Sequence, residues 1–553
     1  MKTAIRLLGG WFGRGIRLCR GAGEAGRAHG VSAPGDDAGR QGTGAGLLAV
    51  AAVLVVGPVL AEGTERPCWN RNSVMFLDAP TFAFETMSNG THVIEYRTDV
   101  LSSDGKLYRL ATPSSRVSLA GLWTKLPTGF VSVTCRAQRP GRPDTERVVG
   151  ARVFWKSAPF AGDSRPRPRS FAEGARQALA YVLDAPSSRY LVEHGELDPN
   201  FSHNVYPSKM LESVIQACCA LVKTVPARKD EALRLARAAA DWLIAHSEKA
   251  DAPLAHFPPT YRGELYAAKK NAGLVMTVYP ARAALAYLEL AETSGELKYR
   301  DAAFAIANTY RRLQGADGTW PLKMRLSDGT ATSVNRLVPI DSVLPLMARL
   351  STLSTNAAYG KSADRAFTSI RDGRLKTWNW EGQFEDVEPG PAYSNLTEYG
   401  PCDTAIELLA PHHADDPQSL PLARELVRFA EDQFVCWERP FVGADFKVNP
   451  TVQEMDKWSF PCVLEQYNWY TPIDASAAKM IVAYLALYRA GKDPLDLAKA
   501  RALGGAILRQ QQPGGWIRTH WAWDETPEKI WMNCHVASAL ALQELAEFDK
   551  DEK

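Results

Sequence analysis

Carboxylates set among indole rings are the most chemically suggestive feature of this 553-residue chain. One stretch reads Trp378-Asn-Trp380-Glu381-Gly-Gln-Phe384-Glu385-Asp386, with Tyr393 and Asn395 soon after. A second carries Trp458, then Glu465-Gln-Tyr467-Asn-Trp469-Tyr470, then Asp474. Hydrolysis of a glycosidic bond takes two carboxyl groups across the scissile bond, one of them protonated. Apolar surroundings favour the protonated form because desolvation raises a carboxyl pKa. Glu385, Asp386, Glu465 and Asp474 are therefore candidates for catalysis. Asp341 and Asp403 join them, because each follows a Pro by two residues at a matching helix start. Each first-turn aspartate also has a plain structural use, capping free backbone N–H groups where the helix dipole favours negative charge.

A second chemistry, β-elimination of a uronate, needs Asn, Arg or His to neutralise the carboxylate and Tyr or His to take a proton. His203-Asn204-Val205-Tyr206, Tyr261-Arg262 and His520 supply those types, with His256, Lys269, Lys270, Asn271 and His535 nearby. Tyr206 and Tyr279 both occur as Val-Tyr-Pro, so equivalent packing is the other reading of Tyr206. No His-Glu-x-x-His or comparable spacing points to a metal, and His412-His413 falls on a short link. No Gly-rich phosphate loop precedes a helix, so neither a cofactor nor a nucleotide is expected.

Helices must position these groups. From Phe171 onward the apolar residues recur at the helical period, giving about twelve helices in six pairs. Short links near 224–229, 295–297, 354–357, 413–417 and 491–493 alternate with long connections at 185–207, 249–279, 315–339, 372–400, 437–472 and 512–532. That alternation sends every long connection to one face. Connections of this length are uncommon unless functional. They hold ten of the fifteen Trp, and indoles suit the apolar faces of sugar rings. Trp320, Trp378, Trp380, Tyr393, Tyr467, Trp469, Trp516 and Trp521 are the expected sugar-binding aromatics. Six helices after long connections begin alike, five with Pro at Pro207, Pro280, Pro339, Pro401 and Pro472 and the sixth near Asn533. Pro opens a helix without losing a hydrogen bond, so these form an inner ring with its positive ends in one bowl.

Two turns repeat with the same spacing, Gln314…Gly318-Thr-Trp320 and Gln511…Gly515-Trp516. With the hairpin period they make residues 171–553 resemble the six-hairpin (α/α)6 toroids, which include glycosidases and polysaccharide lyases. The resemblance implies an all-α toroid and a glycan substrate, and it assigns no catalytic residue. Terpene-cyclase toroids share a Gln-Trp turn, but their Asp-rich magnesium clusters do not occur in this chain.

The chain thus reads as multidomain, with an all-β region ahead of the toroid. Residues 67–160 alternate in short runs separated by turn signals such as Asp104-Gly105, resembling a fibronectin type III or immunoglobulin-like sandwich. Its Trp69 and Trp123 serve either sugar binding or packing. Residues 161–170, rich in Pro and Arg, read as a linker. Residues 1–61 form an Arg-rich leader ending in the apolar run Ala45–Ala61, whose small residues suit export to the periplasm or outside. Retained, that run is the one candidate membrane anchor. The first 61 residues hold seven Lys+Arg and three Asp+Glu, leaving 57 basic against 59 acidic residues beyond them. That balance offers no nucleic-acid footprint. Of the eight later cysteines, Cys68 and Cys135 lie far enough apart in the β region to pair. The function expected is cleavage of an oligo- or polysaccharide by two-carboxylate hydrolysis. The alternatives are uronate elimination and glycan binding without catalysis.

Overall fold

Burial sorts the helices into two kinds, and the sorting sets the architecture. Helix α10 (Asp474–Gly491) buries Ala475, Ala478, Met480, Ile481, Ala483, Tyr484 and Leu485, residues on every side of its axis. Helix α7 (Ala358–Asp372) buries only the stripe Tyr359, Ser362, Ala366 and Ile370. A helix apolar all round is enclosed by others, and one with a single stripe faces solvent. The computed structural model describes residues 52–54, 72–87, 93–163, 165–332, 336–381, 384, 390–413, 416–439, 458–467 and 469–549. Among them are ten further helices of at least ten residues: α1 (Phe171–Asp184), α2 (Pro207–Thr224), α3 (Lys229–Ala245), α4 (Tyr279–Ser294), α5 (Leu297–Leu313), α6 (Val343–Leu353), α8 (Tyr399–Leu408), α9 (Ser419–Phe434), α11 (Pro494–Gln510) and α12 (Met532–Ala546).

Even-numbered helices form the inner ring. Helices α2, α4 and α6 pack in series, as do α8, α10 and α12, and α12 returns to α2. Helices α6 and α8 meet across an axial cavity that both line or adjoin. Each inner helix has an outer partner, and α1 pairs with α12 to complete the sixth hairpin. His535 joins those chain ends: Nε2–H donates to the Ala178 carbonyl at 2.8 Å, and Nδ1 accepts from the Ile517 amide at 3.2 Å. Burial lowers its pKa to about 4, so the imidazole is neutral and its tautomer fixed.

The repeated Gln…Gly-Trp turns have one geometry. The Gln314 amide donates to the carbonyls of Gly318 and Ser362, at 3.1 and 3.0 Å. Gln511 donates to those of Gly515 and Gly174, both at 2.9 Å. In each case the glutamine ties its own turn to the next outer helix. Gly318 and Gly515 have φ of +81° and +94°, and an added Cβ would stand 2.3 Å from the carbonyl oxygen of Arg365 or Gln177. Only glycine fits both the left-handed backbone and the close approach.

Ahead of the barrel, strands β1 (Ala52–Leu54), β2 (Met75–Phe76), β4 (Glu95–Leu101), β5 (Leu107–Thr112), β7 (Gly129–Arg139) and β8 (Arg142–Lys156) form a sheet ordered β1-β5-β4-β7-β8-β2. Strands β3 (Thr81–Ala83) and β6 (Arg116–Ser118) form a second sheet. Phe76, Phe82, Val117, Val131, Val133 and Phe154 fill the space they share. Strand β5 is additional to the expected runs, and the Asp104-Gly105 turn joins it to β4 as a hairpin. Strand β1 lies within the expected leader, and the remaining five strands pair continuously without it. The rest of the leader, Trp69 and Cys68 lie outside the described residues. Cys135 is buried and free. Trp123 packs: it stacks on Phe154 at 6.2 Å and donates to the Leu77 carbonyl at 3.0 Å.

The β region and barrel form one compact unit, with Trp155 edge-on to Trp458 at 6.0 Å. Asp432 on α9 accepts the amides of both Leu77 and Asp78 at 2.7 Å. The segment at 161–170 is docked on the barrel by its arginines. Arg167 pairs with Asp549 at 2.9 Å and covers the Phe171 ring, while Arg169 donates to Gln511 at 2.6 Å. A Pro- and Arg-rich composition suggests a spacer, but those guanidiniums find carboxylate and amide partners on the fold. Among the described residues no helix is long and apolar enough to cross a membrane.

Candidate functional site

The long connections bond to one another around one end of the barrel. The Arg262 amide donates to Val205, and Thr277 to Leu322, at 2.9 and 3.0 Å. Tyr467 donates to Leu396 and Trp521 to Pro472, at 3.2 and 3.1 Å. Trp531 then packs on His203 with centroids 4.1 Å apart, joining the last connection to the first. Inside this collar a cavity of about 410 Å³ runs down the barrel axis. Its mouth is built by Met276, Leu337, Glu381, Phe384, Thr397 and Glu465, and its wall by the inner helices.

A belt of charge crosses the cavity, with Arg282, Asp403, Lys479 and Glu212 about one turn inside their helices and Asp341 two residues ahead of α6. Arg282 on α4 donates through Nε to Asp341 at 2.9 Å, and Lys479 on α10 bonds Asp403 on α8. Glu212 on α2 faces the same layer. Burial opposes charge on all of them. Arg282 and Lys479 are nonetheless held above their ordinary values, because Asp341 and Asp403 stand beside them. Burial would raise Asp341, but Arg282 and Lys479 outweigh it and lower the carboxyl. Asp403 is raised by burial and by Asp341, despite Lys479. Burial raises Glu212 to about 7.

Two carboxyls at the mouth are held differently. Glu381 is 7% exposed and accepts the amides of Ser394 at 2.6 Å and Asn395 at 3.2 Å. Burial raises its pKa against those donors and nearby Arg374. Asn395 Nδ2 donates to Gln466 Oε1 at 2.7 Å, and Gln466 Nε2 donates to Glu465 at 3.2 Å. One hydrogen-bonded chain thus runs from the residue gripping Glu381 to Glu465. The backbone enforces it, since Thr397 bridges to Gln466 and Glu381 to Leu396. Behind them lies Glu398, fully buried, and among the described residues neither oxygen has a hydrogen bond of ordinary geometry, the Ser476 hydroxyl acting on it only weakly. The nearby Ser476 hydroxyl turns instead to Tyr399, at 3.4 Å. Burial pushes the Glu398 carboxyl well above its ordinary range, and Glu465 adds to the shift.

The sequence candidates divide accordingly. Asp341, Asp403 and Glu465 line the cavity. Glu385 and Asp386 lie outside the described residues. Asp474 does not line the cavity: Oδ1 accepts the Ala475 amide at 2.8 Å and Oδ2 the Ser538 hydroxyl at 3.0 Å. The reason is register. Helix α10 begins at Asp474 itself, so the carboxylate is spent on the free first-turn amide of Ala475 and Lys479 reaches the cavity instead. Helices α4 and α8 begin before their Pro, and Arg282 and Asp403, two residues beyond it, already point inward.

None of the expected sugar-binding residues lines the cavity. Trp320, Trp380, Tyr467 and Trp521 are buried. Trp320 donates to the Tyr310 carbonyl at 2.8 Å and Tyr467 to Gln433 at 2.8 Å. Tyr206 is buried and stacked on Trp531, with Tyr261 edge-on to it. His203 is buried, and Asn204 donates to the Asp198 carbonyl at 2.9 Å. Arg262 covers the Trp242 ring and pairs with Glu196 at 3.6 Å. Tyr393 donates to the Thr377 carbonyl at 2.7 Å, and Trp378 packs on Trp380 and Phe429. Trp469, Trp516 and His520 are partly exposed. Trp469 meets Trp523, which also stacks on His520, itself bonded to Glu525 at 2.6 Å. These rings build the walls of the collar. Sequence reasoning passed over four cavity residues, Glu381 in the collar and Glu212, Arg282 and Lys479 on the inner helices. Their signal is a charge within the buried stretch of an inner helix, or, for Glu381, direct adjacency to a buried indole.

No family model and no curated protein matches the sequence. Several solved structures are similar at low identity. One is a family 76 glycoside hydrolase from a bovine Bacteroides thetaiotaomicron strain, 12% identical over 83% of this chain and 95% of that one, TM-score 0.45. A cellobiose 2-epimerase from Spirochaeta thermophila is 13% identical over 69% of this chain and 98% of that one, TM-score 0.43. An α-1,2-mannosidase from Trichoderma reesei is 14% identical over 67% and 84%, TM-score 0.41. At these values neither a residue nor a reaction carries across.

Proposed function

We propose that the chain is a carbohydrate-active enzyme that hydrolyses glycosidic bonds of an oligo- or polysaccharide seated at the cavity mouth. Glu381 is the acid and Glu465 its partner, as base or nucleophile. The observation that carries this reading is the linked pair itself: two carboxyls on one cavity rim, positioned by the Asn395–Gln466 bridge. Burial raises Glu381 toward the protonated state an acid needs. The belt of Arg282, Asp341, Lys479 and Asp403 gives sugar hydroxyls donors and acceptors below the mouth. Elimination is less well served. Tyr206 is sealed behind Trp531, Tyr399 is pushed well above its ordinary value by burial, and among the described residues no histidine lines the cavity. The composition of the leader at 1–61 supports export of the enzyme, and the bonds from Leu77 and Asp78 to Asp432 support a packing role for the β region against α9.

The test is product analysis on a panel of neutral and uronate polysaccharides. Hydrolysis gives reducing ends without the ultraviolet absorbance of an unsaturated uronate. Glu381→Gln and Glu465→Gln should each lower the rate by about 10²-fold or more with the fold retained. Full activity in both refutes the pair. If Glu385→Gln alone is inactive, the acid lies further along the same connection. Binding without any turnover would leave a glycan-binding protein.

A further inference from the structure

At the far end of α8, away from the cavity mouth, two imidazoles converge on one carboxylate. Glu407 sits one helical turn beyond Asp403, about 6 Å along the axis, and its side chain is only 10% exposed. Beyond the helix the backbone folds back. The Ala410 amide donates to the Glu407 carbonyl at 3.0 Å and His413 to the Ala410 carbonyl at 2.9 Å. That turn carries His412 and His413 over the carboxylate. His412 Nε2 stands 2.8 Å and His413 Nε2 3.6 Å from the same oxygen, Oε1. One ligand atom from each of the three lies within 4.8 Å of the others.

We infer that Glu407, His412 and His413 form a binding site for one divalent first-row transition ion, with zinc as its representative. A tetrahedral zinc holds its N and O ligands at about 2.0–2.1 Å, hence about 3.3 Å from one another. The two nitrogen–oxygen separations, 2.8 and 3.6 Å, bracket that value, and the two imidazoles stand within 4.8 Å of each other, so small side-chain rotations bring all three atoms to ligand distance. Two imidazoles and a carboxylate suit zinc and its neighbours rather than magnesium or calcium. His413 is pre-oriented, its ring stacked on Phe367 at 4.3 Å and 28°. The carbonyl end of α8 and Asp416, which acts on His413 electrostatically, favour a cation there. A simple hydrogen bond from His412 to Glu407 accounts for one imidazole. It leaves unexplained why the second approaches the same oxygen. His412 is half exposed, so the fourth position opens to water.

The site is independent of the glycan reading, and its test reads metal, not turnover. Tag-free protein stripped with chelator is titrated with zinc chloride by calorimetry, with a chromophoric chelator as competitor. One zinc per chain should bind, the melting temperature should rise with zinc, and affinity should fall in acid, where protons compete with zinc for the ligand atoms. His412→Ala, at an exposed position that leaves packing intact, should weaken binding by about tenfold or more, as should Glu407→Gln. Absence of saturable binding up to about 100 μM zinc overturns the inference. So does stoichiometric binding that the His412→Ala and Glu407→Gln variants leave unchanged.

Discussion

Replacing Glu212 by Gln measures how strongly the barrel interior resists charge. Glu212 is 4% exposed, and its carboxylate accepts the Ser213 hydroxyl at 3.2 Å. Burial moves its pKa from 4.5 to about 7, with Arg282 opposing the shift. The folded state therefore holds this proton more tightly than the unfolded chain does. Its contribution to stability is complete at acid pH and is lost as pH rises from about 4.5 to about 7, at about 1.4 kcal/mol per unit. The total is about 3 kcal/mol and does not grow further above that range. Gln keeps the volume and cannot ionise. For a chain of this size the entropy of unfolding is about 1 kcal/mol per degree, so about 3 kcal/mol corresponds to about 3 °C. Thermal unfolding followed by circular dichroism at pH 4.5, 6 and 7.5 should show the variant gaining about 3 °C on the parent across the series. His535, whose lowered pKa costs stability toward acid pH, acts equally in both proteins and cancels in the difference. A difference that stays flat with pH would refute the desolvated belt.

Two further substitutions probe the frame around the site. Gly515→Ala places a Cβ against the Gln177 carbonyl at positive φ, and should cost about 2–4 kcal/mol, as should Gly318→Ala; unchanged melting temperatures would disprove the shared role of the two turns. Asp474→Asn retains the cap and the reach to Ser538, so fold and turnover should persist, whereas Asp474→Ala should lose about 1–3 kcal/mol. A folded but inactive Asp474→Asn enzyme would return that residue to the chemistry.

Local rules account for everything in this protein that repeats. Helical period, the alternation of short and long connections, and Pro at the inner starts are each readable within a few residues, and they dictate six hairpins with one decorated end. The Gln…Gly-Trp turns are legible as a repeated spacing within seven residues, but their glutamine ties to Ser362 and Gly174 and the close approach that demands glycine are tertiary contacts. Tertiary structure alone decides which side chains face the axis. A Pro sits near the start of α4, α8 and α10, yet the helix begins at Tyr279, Tyr399 and Asp474, respectively. Measured from the Pro, α10 starts three residues later than α4 and four later than α8, about one helical turn or some 5–6 Å along the axis, so Arg282 and Asp403 sit a turn inside and reach the cavity while Asp474 stays in the first turn. The indoles mislead for a related reason. A ring suited to a sugar face is equally suited to filling the collar, and only the packing of distant connections separates the two uses. Glu381 and Glu465 lie 84 residues apart in sequence. Their link through Asn395 and Gln466 exists only after two long connections pair, and no spacing rule reaches across that distance.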